Sequence, residues 1–187
     1  EALTLAEGIL DLFWNEPEGS FYDTGRDHEA LVARPRDVFD NAMPSGTSLA
    51  VNVLVHLAHL TSEERYWRVA WRTFERLSGA MRDFAGAFGH LLCALDSALS
   101  PRREVVIVGE PDHPLTQALR DEATRRYAPA DALLIAPPAS QAEAFATWPL
   151  LQGRTAVGGQ PTAYVCANYA CQLPVTSPAA LASQLAG

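Results

Sequence analysis

The sequence predicts a mixed fold: helical hairpins over residues 1–100, then a small three-stranded parallel α/β domain over residues 101–187. Three observations predict it. The first hundred residues repeat apolar side chains at the three- and four-residue spacing of helices. Ser100-Pro-Arg-Arg103 interrupts that pattern. Beyond it come short β-branched runs separated by an amphipathic stretch, which is how a βαβ unit with a parallel crossover reads.

Each element has its own local reason. Ala2 to Trp14 carries Leu3, Leu5, Ala6, Ile9, Leu10, Leu12 and Phe13 on a broad apolar face, and Asn15-Glu-Pro-Glu-Gly-Ser20 breaks it. Phe21-Tyr-Asp-Thr24 reads as a short extended piece. A long polar stretch, Gly25 to Pro44, follows; irregular loops of that length are uncommon in compact domains and are often functional. The next helix starts at Pro44-Ser-Gly-Thr, with Ser45 or Thr47 as N-cap. Leu49 to Leu60 is apolar nearly all round, so it is expected to be buried on most sides. Thr61-Ser-Glu-Glu64 opens a helix that Gly79 is expected to end, with Tyr66, Ala70, Phe74 and Leu77 inward. A further helix is expected from Met81 to Leu99. Gly86 and Gly89 inside it would each cost roughly 1 kcal/mol relative to Ala, which predicts close packing at those points. In the second half, Glu104-Val-Val-Ile-Val-Gly109, Ala132-Leu-Leu-Ile-Ala136 and Thr162-Ala-Tyr-Val-Cys166 read as strands. Helices are expected from Pro114 or Leu115 to Tyr127, over Gln141 to Ala146, and from Ser177, the N-cap, to Leu185.

Composition excludes several classes. A hydrophobic content of 48% with 19% charged residues is that of a globular protein. No apolar run reaches the length of a membrane span, so no membrane partner is expected. The N-terminus lacks a basic start and an apolar core, so it is no signal peptide. It reads as a helix already under way, as if cut from a longer chain. The net charge of −8 argues against nucleic-acid binding. Residues 1–100 hold 15 acids against 8 arginines, so most of that charge is theirs. All 14 basic residues are Arg, which leaves no Schiff-base or P-loop lysine. Three cysteines imply no disulfide framework, and a reducing cytoplasm is the default expectation.

Candidate chemistry concentrates at Arg34 to Ser48 and just before it. Asp23, Asp27, His28, Glu29, Asp37 and Asp40 could supply the paired carboxylates of acid–base work on a sugar, and His28 a base for proton abstraction. The same acids serve as turn formers and as partners of Arg34 or Arg36. Asp40-Asn41, just before a helix start, reads equally as capping chemistry. Trp14, Phe21 and Tyr22 could stack a sugar ring or close the core. Val108-Gly-Glu-Pro-Asp-His113 lies where α/β folds bind ligands, but one glycine is no dinucleotide fingerprint, and an ordinary turn accounts for it. Cys166 and Cys171, five apart, fit neither a redox Cys-x-x-Cys nor a zinc knuckle. They read as buried free thiols, with a disulfide as the alternative. Cys93 reads as core, and His56 and His59 as packed histidines rather than metal ligands.

Gly19-Ser-Phe-Tyr-Asp-Thr24, Asp27 through Ser48, and Tyr164-Val-Cys-Ala-Asn-Tyr-Ala-Cys-Gln-Leu-Pro-Val-Thr176 together resemble the C-terminal region of the spermatogenesis-associated protein 20 family, which includes bacterial thioredoxin-domain-containing proteins. The resemblance implies a three-part protein: a thioredoxin-like domain, an (α/α)6 barrel similar to six-hairpin glycosidases and N-acylglucosamine epimerases, and an α/β tail. This chain would be the end of that barrel plus the tail. Two functions follow as expectations. One is acid–base chemistry on a sugar or similar polar molecule, with His28 and Asp40 as acid and base, Asp23 and Asn41 orienting, and Tyr22 stacking. The other is a non-catalytic binding or interaction module beside the thioredoxin-like part. No cofactor or metal is implied, and a second copy of the chain or the α/β tail is expected to cover the apolar Leu49–Leu60 helix.

Overall fold

The computed structural model describes residues 1–29, 32–138, 148–167 and 170–186. The chain forms two compact units, Glu1–Leu99 and Ser100–Gly187.

The first unit is built on one helix. Helix α1 (Ala2–Leu12) buries Ala6 and Leu10. A two-residue antiparallel ladder, β1 (Trp14–Asn15) with β2 (Ser20–Phe21), sets Trp14 opposite Phe21, with ring centroids 4.8 Å apart. Both rings are buried, so they serve the core. Helix α2 (Gly46–Thr61) starts at Ser45, whose hydroxyl accepts the Ser48 N–H at 3.1 Å, and stops at Ser62 in the left-handed conformation. It packs against α1, α3 (Glu64–Asp83) and α4 (Gly89–Leu99). Val51, Leu54, Val55, Leu57 and Ala58 are buried as its all-round apolarity predicts, but Leu49 and Val53 remain 48% and 42% exposed. Tyr66 and Arg65 tie α3 to α1: each bonds a Glu7 carboxylate oxygen at 2.7 Å.

Two helix boundaries differ from expectation. Helix α3 runs through Gly79 to Asp83. Burying Met81, one turn beyond the buried Leu77, outweighs the roughly 1 kcal/mol that a helical glycine costs. The expected Met81–Leu99 helix is broken at Phe84 by a 3-10 turn, Ala85–Ala87, and restarts at Gly89. No close packing occurs at Gly86 or Gly89: a Cβ on either would meet nothing within 4 Å. These glycines lie in and just after a bend that drives Phe88 into the core at 0% exposure.

The second unit is a four-stranded mixed sheet in the order β4-β3-β5-β6. Strand β3 (Arg103–Val108) pairs in parallel with β4 (Ala132–Ala136) and antiparallel with β5 (Thr162–Ala167). Strand β6 (Ala170–Cys171) extends β5 antiparallel. Helices α5 (Pro114–Thr124) and α6 (Pro178–Leu185) pack on each other, and Leu119, Leu181 and Leu185 share a core with Val105, Ile107, Ala163 and Val165. The three-stranded parallel sheet is thus corrected. The connection from β4 begins and ends at the same end of the sheet, so β5 must run back along β3. A parallel third strand would need a crossover to the opposite end. The expected helix at Gln141 to Ala146 lies outside the described residues.

The cysteines also depart from expectation. Cys166 and Cys171 face each other across β5 and β6 and are joined as a disulfide, not free thiols. The antiparallel return of the chain at β6 brings them together, a pairing that a parallel strand followed by a loop would not impose. Cys93 is exposed on α4 rather than in the core.

Candidate functional site

The polar stretch before α2 is held by its own backbone and by arginines. The Asp23 N–H donates to the Pro35 carbonyl at 3.0 Å, and the Asp23 carboxylate accepts the Asp37 N–H at 2.8 Å. Asp37 in turn accepts the Phe39 N–H at 3.0 Å, a local Asx turn. Arg34 donates to the Thr24 and Leu12 carbonyls. Arg36 pairs with Glu18 and donates to the Tyr22 hydroxyl at 2.7 Å. Both guanidinium groups lie over the Tyr22 ring, at 3.9 Å for Arg34 and 4.2 Å for Arg36.

Asp40 is the keystone of this stretch. One carboxylate oxygen accepts the Ser45 N–H at 2.9 Å. The other accepts the His90 and Leu91 N–H groups at 2.8 and 3.2 Å. It therefore caps the start of α4 from a remote loop and fixes the entry to α2, placing a negative charge where the α4 dipole favours one. Burial pushes its pKa up, but the hydrogen bonds from Ser45, Ser48, Leu91 and His90 outweigh burial and hold it below the ordinary value of 3.8. A carboxylate so held is ionised at neutral pH and donates no proton.

A groove opens beside α2. Ile9 of α1, Phe13 just past its end, Phe21 of β2, and Leu49, Ala50 and Val53 of α2 form its walls, with Tyr22 and Asp23 on its polar side and a volume of about 430 Å³. The structure thus brings Tyr22 and Asp23, two of the sequence candidates, to one cavity. His28, Asp40 and Asn41 do not line it. His28 and Asn41 are exposed, and the Asn41 backbone N–H bonds the Met43 carbonyl at 3.0 Å. His59 is buried against Trp67 at 4.8 Å, whereas His56 faces solvent. Among the described residues no three His, Cys, Asp or Glu side chains gather as metal ligands.

The groove walls Ile9, Phe13, Leu49 and Val53 were not among the sequence candidates. Their one sequence signal was excess apolarity: α2 has more apolar positions than three helical neighbours can cover. In the second unit, the Glu110–His113 turn does local work. His113 caps α5 by accepting the Leu115 N–H on its ring at 3.1 Å. Gly109 is required, because a Cβ there would collide with the Thr116 hydroxyl and come within 2.8 Å of Pro161.

No family model matches the chain. Among curated proteins it is similar to Spermatogenesis-associated protein 20 of Homo sapiens, 28% identical over 181 residues, which are 96% of this chain and 23% of that protein. The Rattus norvegicus protein of the same name is 27% identical over 184 residues, and the Mus musculus one 26% identical over 181, each again 96% of this chain and 23% of the relative. The chain therefore spans under a quarter of the length of these relatives. No described helix is long and apolar enough to cross a membrane.

Proposed function

As a relative of the spermatogenesis-associated protein 20 family, the chain carries, we propose, a non-catalytic binding module in residues 1–99. Its ligand is a small molecule with a broad apolar face and one hydrogen-bond donor. The groove beside α2 is the observation that carries this reading. Its volume of about 430 Å³ falls in the range of small-molecule pockets, and its walls are aliphatic and aromatic with few polar groups. Leu49 and Val53 leave about half their surface for a ligand to cover. Asp23, at the polar side, spends one oxygen on the Asp37 N–H, and a carboxylate has further lone pairs for a ligand donor.

Sugar chemistry has less support. Two cations already engage the Tyr22 ring that would stack a sugar. Asp40, the expected acid or base, is occupied by three backbone donors. The reading of α2, α3 and α4 as hairpins from the end of an (α/α)6 barrel stays within this proposal; the central place of α2 among α1, α3 and α4 supports it.

The test is fluorescence titration with N-phenyl-1-naphthylamine, a neutral probe of naphthyl and phenyl rings joined by one N–H. Saturable binding to the wild type is expected, weakened roughly tenfold or more by Val53→Arg, which puts a charge on the apolar wall. Equal binding by the variant, with an unchanged thermal melt, would refute the assignment. Turnover of a glycoside that Asp40→Asn abolishes would restore the enzyme reading.

A further inference from the structure

The disulfide of the second unit has two unlike ends. Cys166 is 2% exposed, while Cys171 is exposed on the short β6. One Arg154 guanidinium nitrogen lies 2.9 Å from the Cys166 sulfur and 3.4 Å from the Cys171 sulfur. The Arg154 side chain is itself only 11% exposed, and the Glu104 carboxylate lies 3.9 Å away. Glu104 sits directly across from Cys166 in the β3–β5 register. Burying an arginine is costly, and burial pulls the Arg154 pKa down against the pull of Glu104 and Tyr164. A thiolate at Cys166 would be stabilised where the guanidinium stands, because a cation at hydrogen-bond distance is what stabilises thiolates in proteins.

We propose that Cys166–Cys171 is a thiol–disulfide exchange site for a thiolate reductant, in which Cys171 is the sulfur attacked and Arg154 holds Cys166 as the leaving thiolate. The reductant loses its thiol proton to solvent and attacks the exposed Cys171 sulfur. The Cys166–Cys171 bond breaks as the new sulfur–sulfur bond forms, and the electron pair leaves on Cys166 beside the guanidinium. A second thiolate attacks the reductant sulfur of the mixed disulfide and releases Cys171, which takes a proton from solvent. The protein disulfide gains two electrons, and two reductant thiols become one disulfide. Accessibility sets the direction of attack, since the buried end is shielded. The inference rests on residues of the second unit alone and is independent of the groove.

The experiment uses the full 187-residue chain with Cys93→Ser, which removes the exposed third thiol. Oxidised protein is mixed with reduced glutathione, quenched with acid, alkylated and counted by mass. Reduction is expected to proceed while the protein is folded. Arg154→Met should slow it by roughly three- to tenfold, because a leaving thiol of higher pKa departs more slowly, and Arg154→Lys should recover part of the rate. Absorbance at 240 nm should show one thiol of the reduced protein titrating below the ordinary value of about 8.5. Mixed instead with oxidised glutathione, Cys166→Ser should form a mixed disulfide on Cys171 with release of one reduced glutathione, an adduct that Cys171→Ser does not form on the buried Cys166. Far-UV circular dichroism checks each fold. If Arg154→Met fails to fold, the wild-type titration decides. Both thiols titrating at or above about 8.5, reduction only as fast as unfolding, or an Arg154→Met rate within about twofold of wild type would each overturn the assignment.

Discussion

Replacing Asp40 separates a capping carboxylate from a catalytic one. In Asp40→Ala three backbone N–H groups, those of Ser45, His90 and Leu91, lose their acceptor. Hydrogen bonds to a charged group contribute about 1.5–3 kcal/mol each when buried, but Asp40 is half-buried and water can reach part of the site. A total loss of about 2–3 kcal/mol is therefore expected, a large share of a domain stability of about 5–15 kcal/mol. Asp40→Asn keeps one acceptor oxygen and should lose about 1–2 kcal/mol. The pH dependence follows from the sign of the shift. The folded pKa lies below the unfolded value of 3.8, so the stabilisation is complete above that value and is lost as pH falls through the folded pKa. Urea unfolding followed by circular dichroism at 222 nm should show the gap between wild type and Asp40→Asn wide at pH 7 and closing in acid. Equal stability at pH 7, or a gap unchanged in strong acid, would refute the capping account.

The Tyr66 phenol, pushed up to about 12 by burial and its bond to Glu7, should titrate well above the ordinary tyrosine value of 10.0 in absorbance at 295 nm. Its raised pKa contributes stability that is full below pH 10 and lost as pH rises towards 12; Tyr66→Phe should remove that loss and lower stability at pH 7 by about 1–2 kcal/mol, read from chemical denaturation. Gly109→Ala should destabilise the second unit by about 2–3 kcal/mol, since its Cβ would meet the Thr116 hydroxyl and the Pro161 ring. Gly86→Ala, with open space around its Cβ, should be neutral or slightly stabilising, and paired thermal melts of the two variants check the contrast.

Locally encoded features were legible in the chain. Ser45 caps α2 because a hydroxyl before an apolar run has a backbone donor to accept wherever the helix goes, and Pro178 after Ser177 starts α6 for the same kind of reason. The β-branched runs at 104–108, 132–136 and 162–166 became strands, since their side chains suit a pleated, buried surface. The resemblance carried by residues 19–48 and 164–176 was legible as well, and the similar proteins share that family's name. Tyr22 and Asp23, singled out beside the long polar loop, line the groove.

What the sequence could not determine depended on distance along the chain. Asp40 reads locally as a turn residue, yet two of its three backbone donors lie 50 and 51 positions away on α4. Gly79 reads as a helix stop, and only the buried place waiting for Met81 carries α3 past it. Spacing alone favoured free thiols at Cys166 and Cys171 and kept a disulfide as the alternative; the antiparallel fold of β6 onto β5 made them a pair, and Arg154, from a separate segment, gave that pair an environment. The groove is the same kind of result. Leu49 and Val53 are ordinary apolar helix positions by pattern, and whether they face a core or an open groove was decided by where α1, α3 and α4 stop covering α2. Periodicity says which face is apolar, because it is a property of one element; what covers that face belongs to the packing of several.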